Sequence, residues 1–151
     1  MAEHSIARVG RGDIDPLLPL MRAYCDFYAV SPSDEDLVAM STALIDDPDR
    51  EGVQLIARNG AGQAVAFATV FWSWSTSDAA RLAVMNDLFV SEGARGQGLA
   101  EDLIEACRAE AARRGAQRLT WQTAPDNARA QAVYDRVGAT REQWVDYWLP
   151  S

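Results

Sequence analysis

The stretch Arg95-Gly96-Gln97-Gly98-Leu99-Ala100 joins an apolar run, Arg81 to Val90, to a long amphipathic segment, and its reading decides the fold. The first turn of a helix carries backbone N–H groups without intrahelical partners and the positive end of the macrodipole. An anion seated there gains several charge-assisted hydrogen bonds. Gly96 and Gly98 clear side chains from the approach surface, Ala100 keeps the same turn small, and Arg95 adds a fixed positive charge. Two glycines ahead of a helix also serve plain turn and packing roles, so the flanks decide. A strand before the turn and a helix after it favour a phosphate cradle. The Lys-Ser/Thr ending of a nucleotide P-loop is absent, as are the third glycine and later acid of a dinucleotide fold.

Downstream of the turn, Ala100, Leu103, Ile104, Cys107 and Ala111 fall at helical spacing, so a helix is expected from Gln97 to Arg114, stopped by Gly115. Arg118 to Thr123 then reads as a strand, Asn127 opens a helix that Gly138 ends, and Thr140 to Leu149 reads as a closing strand. Upstream, Gly52 to Arg58 and Gln63 to Trp74 read as antiparallel strands around the Asn59-Gly60-Ala61-Gly62 turn. Asn86 and Asp87 interrupt the otherwise apolar Arg81–Val90 strand and need a reason. Ser5 to Val9 reads as a short strand and Ile14 to Val30 as a helix. Ser33 caps a second helix that runs to Ile45, with Asp34 and Glu35 in its first turn.

A chain of 151 residues without linker, repeat or low-complexity segment is expected to form one domain, residues 1–151. Its net charge of -8 argues against a nucleic-acid partner, which requires a basic face. The opening MAEHSIARVGRGDID lacks a basic region followed by an apolar run, and no stretch is apolar enough to span a membrane. A soluble cytoplasmic protein with no membrane partner is therefore expected. Cys25 and Cys107 sit among apolar residues and read as core. His4, the single histidine, has no spaced Cys or carboxylate partners. It reads as a flexible tail residue, and no metal is expected.

Three features together resemble one superfamily: Asn86-Asp87-Leu88-Phe89-Val90, the Arg95-Gly96 turn, and Asn127 followed seven residues later by Tyr134. These are the features of the GNAT (GCN5-related) N-acetyltransferases, and the likeness covers about residues 50 to 149. Within it, Trp72-Ser73-Trp74-Ser75-Thr76 and the late Trp144 resemble the spermidine/spermine and thialysine N-acetyltransferase-like group. The resemblance implies an α/β acyl-CoA N-acyltransferase fold, with a mixed, mostly antiparallel sheet of about six to seven strands and about four helices. It implies acetyl-CoA as cosubstrate. Leu88, Phe89 and Val90 would pair with the acetyl and pantetheine arm, while Arg95, Gly96, Gln97, Gly98, Leu99 and Ala100 would hold the pyrophosphate. Asn127 would contact the pantetheine arm and Tyr134 would sit near the thioester sulfur.

Acetyl transfer to an amine needs a neutral amine, a stabilised oxyanion and a proton for the leaving thiolate. Tyr134 is the expected general acid, against the plain reading of a core tyrosine. Asp87 binds the acceptor ammonium, acts through water as base, or caps backbone. Asn86 replaces the acid that polyamine-type relatives often carry, so solvent is an equal contender for the base. Trp72 and Trp74 alternate on one strand face and either wall an acceptor pocket with Asn86 and Asp87 or simply pack. The acceptor is expected to be a primary amine of a small molecule: a polyamine, an amino acid or an aminoglycoside. Protein N-termini or lysines, and a catalytically silent CoA sensor, are the alternatives. Relatives are often dimers, and Trp144, Tyr147 and Trp148 can seal either a core or a subunit contact.

Overall fold

Asn59 closes the first hairpin: its side-chain oxygen accepts from the amides of Ala61 and Gln63, both at 3.0 Å, and Gly62 takes the positive φ of +80° that the turn requires. Around this hairpin the computed structural model, which describes residues 3–151, builds a five-stranded sheet and four α-helices. In chain order these are β1 (His4–Arg8), α1 (Ile14–Phe27), α2 (Asp34–Asp46), β2 (Gly52–Asn59), β3 (Ala64–Ser75), β4 (Ala80–Val90), α3 (Leu99–Arg114), β5 (Leu119–Thr120) and α4 (Ala128–Arg136). The strands lie in the order β1-β2-β3-β4-β5. All neighbours are antiparallel except β4 and β5, which are parallel.

The alternation of each strand feeds two cores. Val53, Leu55, Ala66, Ala68, Val70 and Ala83 face Leu99, Leu103, Ile104, Cys107 and Ala111 of α3. Ile56 and Phe67 point to the other face, where Leu17, Leu20, Met21 and Cys25 of α1 and Leu37 of α2 cover them. The Ser33 hydroxyl caps α2 by accepting from the Asp36 amide at 3.0 Å. Both cysteines are free and buried, and burial pushes the Cys107 thiol up to about 12, so it is a packing group. Among the described residues, no helix is long and apolar enough to cross a membrane.

Three expectations change. The sheet has five strands rather than six or seven, because β5 pairs with β4 over two residues only and residues 140–149 form no strand. The helix expected from Gln97 begins at Leu99, since Gly98 at φ +77° and ψ 9° is left-handed and stands outside it as the N-cap. His4 is not a loose tail residue: it starts β1, and its Nε2 lies 2.6 Å from the Asp102 carboxylate on α3.

Leu103 is fully buried between α3 and the sheet. Leu103→Ala is expected to lower the unfolding free energy by about 2–5 kcal/mol, read from urea denaturation midpoints; a loss below ~1 kcal/mol would show that this core is not packed as described.

Candidate active site

Parallel pairing of β4 with β5 is limited to Ala83 with Leu119 and Val84 with Thr120. Beyond those two rungs the strands part, and among the described residues the outer edge of β4 from Met85 to Val90 has no strand neighbour on that side. The gap is the mouth of a cleft of about 960 Å³. This size suits a cosubstrate together with a small acceptor.

A β-bulge explains the two polar residues inside β4. Thr69 pairs with Asp87 but Val70 pairs with Met85, so Asn86 is an extra residue. Asn86 is left exposed, and the side-chain parity of β4 flips after it. Met85 points toward α3, Asp87 and Phe89 turn toward α1, and Leu88 and Val90 return to the α3 side. Asp87 is thereby buried, with 8% of its surface exposed. Its carboxylate accepts from Asn86 Nδ2 at 3.3 Å, while its Oδ1 has no hydrogen-bond partner among the described residues. Burial raises its pKa to about 6, against hydrogen bonds from Thr69 and Asn86 that lower it.

At the far end of the cleft lies the glycine turn. Gly96 and Gly98 both have φ of +77°, a conformation that L side chains rarely adopt, and a Cβ on Gly96 would point into open space. Among the described residues no side chain of the N-cap residue bonds the first turn of α3, and the carboxylate of Glu101 reaches back to its own amide, so the amides of Leu99 and Ala100 stay free of side-chain partners. Arg95 Nε donates to the Val90 carbonyl at 3.0 Å, pinning the turn to the end of β4. The acids in the first turn of α3, which would repel a phosphate, are both engaged. Glu101 accepts from Arg136 at 2.7 Å, which lowers its pKa, and Asp102 meets His4.

The third wall is α4. Asn127 caps it, its Oδ1 accepting from the Ala130 amide at 3.1 Å, which leaves its Nδ2 as the free donor. One full heptad later Tyr134 is half-buried and edge-on to Trp121, with ring centroids 5.3 Å apart. Its pKa is raised, chiefly by burial, so it holds its proton at neutral pH.

The cleft gathers Asn86, Asp87, Leu88, Phe89 and Val90, the turn from Arg95 to Ala100, Asn127 and Tyr134. It does not gather Trp72 or Trp74. Trp72 is buried on the α3 face and its Nε1 donates to the Pro48 carbonyl at 2.7 Å. Trp74 is 65% exposed, with the Arg81 guanidinium 4.3 Å from its ring centroid. They pair with Ala83 and Arg81, at the end of β4 remote from Asp87, and do not line the cleft.

Tyr24, Phe27 and Tyr28 line the cleft instead, at the end of α1 beside Asp87, and sequence reading missed them. Their helical spacing is that of any amphipathic helix. The one available signal was that Phe27 and Tyr28 continue the aromatic run past the apolar stripe. Arg129 and Arg136, seven residues apart on α4, also line the cleft and were missed. Among the described residues no cluster of His, Cys, Asp or Glu could hold a metal ion.

Residues 17–139 match the model of the acetyltransferase (GNAT) family. Over 146 residues, 96% of either chain, the sequence is 29% identical to the uncharacterized N-acetyltransferase YhfO of Bacillus subtilis (strain 168). A solved probable acetyltransferase is 26% identical over 97% of both chains, with a TM-score of 0.84. The fold is also shared with the aminoglycoside N-acetyltransferase AAC(6')-Iy solved in complex with CoA, at TM-score 0.85 and 19% identity, covering 99% of this chain and 96% of the other. A cleft where two strands part, next to an uncapped helix behind a glycine turn, and a family match over most of the sequence lead to one conclusion: the chain belongs to the acetyltransferase (GNAT) family.

Proposed function

We propose that this cleft seats the pyrophosphate of acetyl-CoA on the first turn of α3 and transfers the acetyl group to a primary amine of a small molecule entering beside Asp87. The observation that carries the reading is a single cleft joining the glycine turn, the unpaired edge of β4, Tyr134 and Asp87. The residues fit the cosubstrate: uncapped helix amides with Arg95 at one end suit a pyrophosphate, and the free strand edge suits the amides of a pantetheine arm. Arg129 adds positive charge on the α4 side, while Arg136 is paired with Glu101.

Bound acetyl-CoA supplies an electrophilic thioester carbonyl and a thiolate leaving group. The neutral amine nitrogen forms the new C–N bond, and the second proton it sheds on becoming an amide passes to water as the C–S bond breaks. Asp87, with an unpartnered buried oxygen, receives the ammonium of the acceptor and takes its proton directly or through water. Tyr134, kept protonated by burial, gives its Oη proton to the departing sulfur and regains one from solvent. Backbone N–H groups of Leu88 or Phe89 on the unpaired edge polarise the carbonyl.

At the acceptor end, the rings of Tyr24 and Phe27 lie about Tyr28 at centroid distances of 4.9 and 5.1 Å. Aromatic faces opposite a carboxylate favour a cationic amine. Aminoglycosides belong beside polyamines and amino acids in the acceptor panel because a fold neighbour is an aminoglycoside N-acetyltransferase, although 19% identity carries the fold alone.

Calorimetric titration with acetyl-CoA followed by thiol release across that panel is the direct test. Saturable binding with release on one amine class is expected; binding without release on any amine leaves a CoA sensor, and absence of binding rejects the proposal. Tyr134→Phe is expected to lower kcat by on the order of 10²-fold with little change in CoA affinity, checked by the same two assays.

The raised pKa of Asp87 gives two opposite pH effects. For activity, kcat/KM should fall as pH drops through about 6, and this limb should vanish in Asp87→Asn. For stability, the folded pKa lies above the ordinary value of 3.8, so the native state prefers the neutral acid. That preference helps folding below the unfolded pKa and is lost as pH rises through the folded one. Asp87→Asn should therefore be more stable than the wild type above pH 6, by on the order of 2–3 kcal/mol. Equal unfolding midpoints at pH 8 would show that burial does not raise the Asp87 pKa in the folded protein.

A further inference from the structure

The last turn of α1 carries aromatic rings that neither core uses. Phe27 is 66% exposed and Tyr28 half-exposed, and both stand outside the two clusters that hold the sheet to its helices. The turn that presents them is fixed. The Val30 amide donates to the Cys25 carbonyl at 3.0 Å and the Ala29 amide to the Asp26 carbonyl at 3.1 Å. Ala29, at φ +55°, takes the left-handed position that glycine normally fills at a helix end. Tyr24, one turn earlier, joins these rings to the interior. It meets Tyr28 at 4.9 Å and, edge-on, Phe67 at 6.0 Å, and Phe67 meets Phe89 of β4 at 6.2 Å. A continuous aromatic face therefore runs from β4 out to Phe27 at the rim of the cleft. Its inner end adjoins the carboxylate: burial, and after it the charge of Asp87, raise the Tyr24 pKa.

The charges of the cleft are placed unevenly. Among the described residues that line it, the carboxylates are Asp87, Glu101 and Asp102. Glu101 and Asp102 stand in the first turn of α3, where Arg136 holds the one and His4 the other. The aromatic end is left with Asp87. A polyamine or an aminoglycoside would set its further ammonium groups against rings, stripped of water and with no carboxylate to pair them. A free amino acid would bring its own carboxylate next to that of Asp87. An apolar body gains where these lose, because it covers Phe27 and Tyr28 and removes apolar surface from water on both sides.

We propose that the acceptor is a primary monoamine with an aromatic body, its nitrogen at Asp87 and its ring on the face of Tyr24, Phe27 and Tyr28. This rests on the reading of the cleft as an acetyl-transfer site and narrows its acceptor. The net step converts ammonium and thioester to an amide, the free CoA thiol and one proton. Phe27 and Tyr28 set specificity: they touch the part of the acceptor that does not react. Their loss weakens ground state and transition state alike and is read in KM.

Steady-state thiol release from acetyl-CoA with phenylethylamine, phenylalanine, spermidine and kanamycin tests the inference. Phenylethylamine is expected to have the highest kcat/KM, by about tenfold or more over each of the others. Phe27→Ala, at an exposed position, is expected to raise the KM for phenylethylamine by on the order of tenfold with kcat little changed. Phe27→Asp, which supplies a second carboxylate, is expected to lower kcat/KM for phenylethylamine and raise it for spermidine. A kcat/KM for any of the other three amines equal to or above that of phenylethylamine overturns the inference and leaves acetyl transfer in this cleft standing. So does a KM for phenylethylamine that Phe27→Ala leaves within about twofold. Binding of acetyl-CoA with thiol release on none of the four also overturns it, and absence of binding overturns the acetyl-transfer reading with it.

Discussion

The cleft of this fold depends on the parting of β4 and β5 after two rungs of parallel pairing. A continued ladder would satisfy the β4 edge internally and close the cleft. The break leaves backbone donors and acceptors of Met85 to Val90 without a strand partner on that side, and such groups are stable only if water or a ligand meets them. The same divergence sets α3 and α4 apart as the two walls, so the uncapped end of α3 and the ring of Tyr134 face one space.

The bulge at Asn86 is the second constraint, and it acts on parity. Were alternation unbroken from Met85 through Asn86, Asp87 would point toward the apolar α3 core. With the bulge the carboxylate sits under α1, beside Tyr24, where burial raises its pKa and a ligand can use its free oxygen. A buried carboxylate with one oxygen left without a partner among the described residues costs stability, and this one lies in the cleft, where perturbed carboxylates concentrate at functional sites.

The sequence made the hairpin at Asn59, the capping of α2 and α4 and the apolar face of α3 legible, because each depends on neighbours within a few residues. The glycine turn was legible for the same reason, and the family resemblance supplied Asn127 and Tyr134. What failed depended on distant partners. Alternation told that Trp72 and Trp74 face one way but not that this face lies away from the cleft, with Trp72 in the α3 core and Trp74 exposed. The length of β5 follows from where β4 turns away, and residues 140–149 have strand composition but no strand to join within the chain. The aromatic wall of Tyr24, Phe27 and Tyr28 has the spacing of ordinary core and becomes a site only because Asp87 lies opposite.

The account stands or falls on whether CoA lies across the first turn of α3 and along the free edge of β4. Amide ¹H–¹⁵N shifts during titration of the full chain with CoA read this residue by residue. The largest changes are expected at Gly96 to Ala100 and at Leu88 to Val90, with weaker ones at the α4 cap near Asn127. Saturable binding that leaves the Gly96–Ala100 amides unmoved would contradict it.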